Sequence, residues 1–464
     1  MGYAVKFWGA AILCVTLLVM SGIVSAYAQT SANVPVKKTG RSSVSPDAEA
    51  EIQQRRLVLF RRMLEDPDDL DTAFEYATLS VQVGDLEAAI STLERMLIFA
   101  PGLPRLQLEL GLLYYRLEAF KTAQTYFESA VSGPDVPQEV RQKVDQFLAN
   151  IERADRTVIY SGQMRAGVRY QTNANRGPDG EIIILNGLPF ELDALSQAAA
   201  DGNVYTSGQF HVSRKLPMQG TTLEFDVVAY ASKQFELSEF DLVQAEATLG
   251  PAFDLGRFGY DNSVLGIYGI VSGAFLDKDY YATFVGAGSQ IVSQFGSGRT
   301  GSAKLEYRYK EFYDSPSLPT ASLRDGNEVR GSATYQKIIN PMRTVNFSVG
   351  AIRSWSRADY LSYYDIAVQA GASFAFMSPY QGQQKWVLGT SLGIVYREYD
   401  APDPLVDPTQ AQEDTEYVAQ ANLNIPVRNG MSVLVEADYR YVESNYPTRR
   451  HDNFGTALSL VKLW

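Results

Sequence analysis

The sequence is short of the residues that catalysis and metal binding use most. Cysteine occurs once, as Cys14, inside an apolar leader, so the processed chain has no disulfide, thiolate metal site or cysteine nucleophile. Histidine occurs twice, as His211 and His451, too few for a histidine-rich metal centre. No H-E-x-x-H, no G-x-S-x-G and no phosphate-binding glycine loop followed by lysine is present. The expectation is a chain with no catalytic residue, no metal and no cofactor, and not an enzyme. Ser213 lies near His211, a pair that some hydrolases use, and polar residues at alternating positions of one face are the plainer account of both. His451 falls near a polar stretch close to the end of the chain and reads as solvated rather than catalytic. Basic residues are outnumbered: the net charge is -12 over 464 residues, which argues against nucleic acid as a partner.

Long apolar runs are also missing beyond the leader, and the mean hydropathy of -0.15 excludes a bundle of membrane-spanning helices. It leaves open a β-barrel, in which apolar and polar residues alternate and their hydropathies cancel. The leader itself has Lys6, the run Phe7 to Val24, and Ala26-Tyr27-Ala28, so residues 1–28 read as a secretory signal peptide. An uncleaved anchor is the alternative, because the run is nearly long enough to span. Residues 29–45 are polar, turn-rich and aperiodic, and read as a disordered spacer.

From Pro46 the pattern is helical, and it stays so to about residue 155. Two segments repeat at an offset of 34 residues, the tetratricopeptide period: Ala77 maps onto Gly111, Leu86 onto Phe120, Ala89 onto Ala123, and Leu93 onto Phe127. The small residues let two antiparallel helices approach, while Leu93 and Phe127 fill the space between repeats. Helices near 47–65 and 136–153 would cap the pair; an ordinary helical bundle is the alternative. By analogy with the repeat consensus, Arg105, Leu108, Leu112, Tyr115 and Arg116 would face the concave groove, or else meet the rim of the next domain.

From 157 to 464 the period becomes two. Tyr160, Met164, Ala166, Val168 and Tyr170 alternate with Ser161, Gln163, Arg165, Arg169 and Gln171. Ala303, Leu305, Tyr307 and Tyr309 alternate with Lys304, Glu306, Arg308 and Lys310, and Val433, Val435, Ala437, Tyr439 and Tyr441 alternate with Ser432, Glu436, Asp438 and Arg440. About 14 strands are expected, starting near 157, 201, 219, 238, 259, 279, 299, 326, 342, 361, 384, 414, 431 and 451. Long outer loops at 173–200, 314–325 and 400–413 and short inner turns match a bacterial outer-membrane barrel. The fold class is therefore α + β multidomain: a helical repeat domain followed by an antiparallel transmembrane β-barrel. A soluble β-sandwich alternates too, but it would need a second sheet to cover the aromatic face.

The candidate lumen residues are Gln163, Arg165, Arg169, Lys304, Glu306, Arg308, Lys310, Glu436, Asp438 and Arg440. They either line a water-filled path or pair across the lumen and plug it, and loop 173–200, with Ile182 to Leu185, either folds inward or stays outside. The chain ends on Trp464, which resembles the signal read by the barrel-assembly machinery; Lys462, in phase with it, departs from the usual apolar pattern.

The stretch from Gly167 to Asn175 carries a glycine, Tyr170 and the pair Asn173 and Asn175. It resembles the first-strand motif of the surface lipoprotein assembly modulators, with Gln171 where that family often has an acid. The layout is similar over essentially the whole processed chain. The resemblance implies periplasmic tetratricopeptide repeats that engage a client or chaperone. It also implies a barrel in the lipid of the outer membrane that moves a secreted protein or lipoprotein to the cell surface. An exopolysaccharide-secretion porin has the same architecture with polymer as cargo, and a passive porin is a third reading. Without a nucleotide-binding loop, conduction or assembly would take its driving force from cargo or partner.

Overall fold

The protein is described here from a computed structural model covering residues 46–464, apart from 101–102, 118, 134–135, 156, 194–195, 219 and 381–383. The expected signal peptide and spacer lie outside the described residues. The chain divides into two units, one helical and one barrel, with the division after Thr157.

Among the described residues, six helices make up the first unit: α1 (Pro46–Glu65), α2 (Leu70–Gln82), α3 (Leu86–Phe99), α4 (Pro104–Arg116), α5 (Phe120–Ala130) and α6 (Gln138–Asp155). The starts of α2 and α4, and of α3 and α5, keep the 34-residue offset read from the side chains. The reason for the small residues is visible at Gly111, where an added Cβ would lie 2.7 Å from the ring of Phe127. Phe127 and Ala123 are fully buried, and Ala77, Ala89, Leu93, Leu106 and Leu110 form the core of the preceding interface.

Arg56 fastens the first three helices together. Buried on α1, it donates to Ser80 Oγ on α2 (3.0 Å) and to Asp85, the N-cap of α3 (2.5 Å). Burial pushes the Asp85 carboxyl up, but the guanidinium of Arg56 and the N–H of Ala88 outweigh it and hold the group below its ordinary value of 3.8. A depressed carboxylate contributes stability above its unfolded pKa and loses it as pH falls through the folded one. Thermal stability, followed by helical ellipticity, should therefore fall below pH about 4, and less steeply in Asp85→Asn. Arg56→Ala should cost about 2 kcal/mol at neutral pH, because it removes charge-assisted bonds at a buried site.

The second unit is a closed antiparallel barrel of 14 strands in meander order. They are β1 (Val158–Gln171), then β4 (Asp201–Lys215), β5 (Thr221–Gln234), β6 (Leu242–Asp254), β7 (Ser263–Leu276), β8 (Asp279–Gln294) and β9 (Arg299–Phe312). The rest are β10 (Gly326–Asn340), β11 (Arg343–Ser356), β12 (Tyr363–Met377), β13 (Lys385–Tyr399), β14 (Glu413–Arg428), β15 (Met431–Ser444) and β16 (His451–Leu463). A hairpin, β2 (Ile182–Leu185) and β3 (Leu188–Glu191), stands inside the first loop. No helix among the described residues is long and apolar enough to cross a membrane.

Alternation gives the two faces of the wall opposite chemistry. Outward positions leave large apolar side chains uncovered, Leu305 at 58% and Leu392 at 68% exposure among them, in the pattern a lipid-embedded barrel needs. Loop lengths depart from the simple expectation around β7. β7 and β8 meet at the loop end through Asp277 and Lys278 alone, both at positive φ, whereas residues 255–262 at the turn end form a longer link with its own 3-10 turn. A two-residue hairpin with both residues left-handed suits the twist of the strands it joins.

Candidate functional site

All ten candidate lumen residues occupy inward register positions, and most are held by ion pairs. Arg308 donates to both oxygens of Glu246 (2.6 and 3.1 Å) and to Glu306 (2.8 Å). Glu306 also accepts from Tyr268 (2.9 Å) and lies 3.4 Å from Lys304. Lys310 reaches Glu328 (3.1 Å) and Ser354 (2.6 Å), and Arg330 pairs with the same Glu328. Farther round the wall Arg397 pairs with Asp365 (2.8 Å) and Arg440 with Glu416 (2.5 Å). Arg165 donates to Ser459 (3.0 Å) and pairs with Tyr205 and Glu436. The loop-end half of the lumen thus carries a belt of paired charge. Each pair is kept because either partner alone would be a buried, uncompensated ion.

The partners Glu246, Glu328, Arg330, Asp365, Arg397 and Glu416 were not among the sequence candidates, although each has the inward parity of its strand. Asp438 is also inward, its carboxylate over Gly455, where an added Cβ would lie 2.8 Å from Oδ1. Gln163 lines the wall half-buried.

Below the belt, the inner faces of β11 to β14 carry mainly amides and hydroxyls. Asn346 lies over Gly371, and Asn422 lies over Gly389, where added Cβ atoms would fall 2.6 and 2.7 Å from the amide oxygens. Gln369 donates to Ser391 (3.2 Å), which donates to Gln420 (3.4 Å), and Asn424 donates to Ser432 (3.2 Å). On the opposite wall His211 is bracketed by two acids, with Nδ1 2.8 Å from Asp226 and Nε2 3.2 Å from Glu224. Ser213 donates to Glu224 (2.9 Å).

At the loop end, residues 313–325 fold onto the inner wall. Ala321 is fully buried with the inward side chains Leu242, Leu276, Phe284 and Phe312. The first loop packs its hairpin against two others, Ile183, Leu185 and Leu192 clustering with Val406 and Tyr446. Its apolar run is therefore split, Ile183 and Leu185 buried while Ile182 and Ile184 remain exposed.

The Gly167 to Asn175 stretch forms the seam where the barrel closes. Gly167 is in close contact with β16, since a Cβ there would lie 2.3 Å from the carbonyl oxygen of Leu458. Tyr170 points outward. The backbone N–H of Asn173 donates to Asn453 (3.0 Å), and its side chain binds the carbonyls of Gly177 (2.8 Å) and Asp452 (3.1 Å). Asn175 bridges Gln197 (2.6 Å) and Ala199 (3.0 Å) across the base of the first loop. At the turn end Trp464 and Gly162 exchange both backbone bonds, 3.1 Å each, and the indole lies over Gly162. Lys462 faces outward and caps the carbonyl of Asn429.

In the helical unit the groove candidates separate. Leu108, Leu112 and Tyr115 are half-buried in the second core, Tyr115 meeting Phe120 and Phe147 edge-on at 5.7 and 5.3 Å. These three seat the last helix. Arg105 and Arg116 stay exposed, Arg105 over the Phe74 ring at 4.4 Å. Beside them Tyr114 and Tyr126 stack at 5.5 Å and both donate to Glu94. That bond pushes the Tyr114 phenol up to about 12.

No family model matches this sequence, and no curated protein matches it. Solved structures of similar fold exist for each part. The helical region is similar to the type III secretion chaperone SycD of Yersinia enterocolitica, solved with a peptide of the translocator YopD. The identity is 12% and the TM-score 0.22, covering 23% of this chain and 84% of that one. The rest is similar to an outer-membrane channel of Pseudomonas putida F1, with 13% identity and a TM-score of 0.35, covering 65% of this chain and 96% of that one. It is also similar to a bacterial polysaccharide outer membrane secretin, with 11% identity and a TM-score of 0.35, covering 65% and 98%. These are likenesses of fold.

Proposed function

We propose that this chain is an outer-membrane transport protein that moves a protein or lipoprotein cargo to the cell surface, its helical repeats engaging cargo or chaperone in the periplasm. The observation that carries this reading is a closed barrel with an apolar outer wall and a polar inner wall, on one chain with a tetratricopeptide-like pair. The belt of ion pairs holds the loop-end half together at rest, and a passing chain exchanges partners with it. The chain acts as a conduit and not as a catalyst.

Surface labelling and protease shaving of whole cells with and without this gene, read by mass spectrometry, test the reading. One secreted protein should lose surface exposure while remaining in the cell. If every surface protein is unchanged, the reading fails. The neutral wall of Asn346, Gln369, Ser391, Gln420 and Asn422 favours a second reading, in which the cargo is a hydroxyl-rich polysaccharide. In that case extracellular polysaccharide falls and protein display does not.

A further inference from the structure

One row of the inner wall has hydrogen-bonding groups that the barrel itself does not use. Arg169 on β1, Asn203 on β4 and Gln234 on β5 are direct register partners, on strands about 4.8 Å apart. Asn203 is 2% exposed and Gln234 9% exposed. Among the described residues, Arg169 Nε, Asn203 Oδ1 and Gln234 Oε1 are buried without a hydrogen-bond partner. Buried polar atoms are paired in the great majority of cases, so three in one row call for a ligand or ordered solvent.

The neighbours explain why Arg169 lacks an anion. Asp201, next along the same face of β4, accepts from the backbone N–H groups of Gly202 (2.7 Å), Glu236 (3.1 Å) and Leu237 (2.9 Å). Glu436 belongs to Arg165. Both guanidinium groups rest on the ring of Tyr205, at 5.1 and 5.5 Å, and that ring stacks on Tyr230. The side chain of Arg169 is thus positioned by an aromatic surface with its charge unanswered.

The unmet set is one charged donor beside two acceptors, and its complement is an anionic acceptor flanked by donors. We propose that Arg169, Asn203 and Gln234 form a lumenal station for an acidic residue of an extended polypeptide. Its carboxylate would lie on Arg169 and its neighbouring backbone N–H groups on the two amides. A uronic acid also places hydroxyl donors beside a carboxylate. The polypeptide is chosen because the inference rests on the protein-cargo reading above.

The test uses the full chain in nanodiscs and the anisotropy of fluorescein-labelled hexaglutamate, with hexaglutamine and trigalacturonate as comparison probes. Hexaglutamate should bind and hexaglutamine should not. Arg169→Gln should weaken binding about tenfold, the worth of a charge-assisted bond. Gln234→Leu and Asn203→Leu, which replace unpartnered amides by apolar groups of similar size, should weaken it severalfold. They carry the test if Arg169→Gln fails to show the heat-modifiable gel mobility of a folded barrel. Equal affinity in folded variants and parent overturns the station, as does binding of trigalacturonate in place of hexaglutamate. Because this is a binding measurement on purified protein, it can fail while surface display still depends on the gene, and the reverse.

Discussion

Gly167→Val should abolish the folded barrel. Any Cβ at this position meets the Leu458 carbonyl oxygen at 2.3 Å and the Ser459 backbone at 2.8 Å, and neither is a flexible side-chain end that can move aside. The clash falls on the weakest part of the wall. β1 pairs with β16 over nine residues, Gln163 to Gln171, and with β4 over fourteen. Driving β1 away from β16 strips a ladder with little length to spare, so the loss should exceed about 4 kcal/mol. Gly331→Ala is the matched control, because its added Cβ meets nothing within 4 Å and should move stability by less than about 0.5 kcal/mol. Heat-modifiable electrophoretic mobility and urea unfolding in detergent would read both. A folded Gly167→Val barrel of parental stability would show that the close approach does not constrain closure.

Glu328→Ala should have the next largest effect, because one carboxylate serves two cations. Glu328 is 1% exposed and pairs with both Lys310 and Arg330, while Lys310 also holds the buried hydroxyl of Ser354. Removing the acid leaves two positive charges in a poorly solvated wall, at a cost of about 3–5 kcal/mol. In planar bilayers the loop-end half should become leakier and favour anions. Replacing all three residues together, as Lys310→Met, Glu328→Leu and Arg330→Leu, should recover most of the stability, since a well-packed apolar trio needs no partners. An unchanged current in Glu328→Ala would mean that the belt does not restrict the pathway.

The barrel was legible because its strands are amphipathic in a strict two-residue period, so most expected starts fall within two residues of those observed. The larger offsets have a local cause. The start near 238 fell on the 3-10 turn Ser238–Phe240 and the start near 259 just past the 3-10 turn Gly256–Phe258, so in each case the turn delays the strand, β6 or β7, by about four residues. The hairpin in the first loop had a signal that went unused: Asn186 and Gly187, both at positive φ, separate two apolar runs.

The ion pairs were half visible. Inward parity marks each member, but the partner of Arg308 on β6 is 62 residues away, and the curvature of the wall across β7 and β8 brings Glu246 to it. The Asn173 and Asn175 pair was read through resemblance, and its local use is structural, tying the first loop to the last strand. In the repeat domain the period identified the helices, while the last helix covered side chains that the consensus places in an open groove.

The seam also sets an order of events in biogenesis. Arg165 and Ser459, which bond across it, are 294 residues apart, so β1 stays without one of its neighbours until β16 has been made. Until then the segment between them must be kept from aggregating with its apolar face uncovered. A chain cut short anywhere before β16 offers an open edge and no route to sealing it. Closure of the wall is therefore open only to copies that were synthesised through to their closing strand.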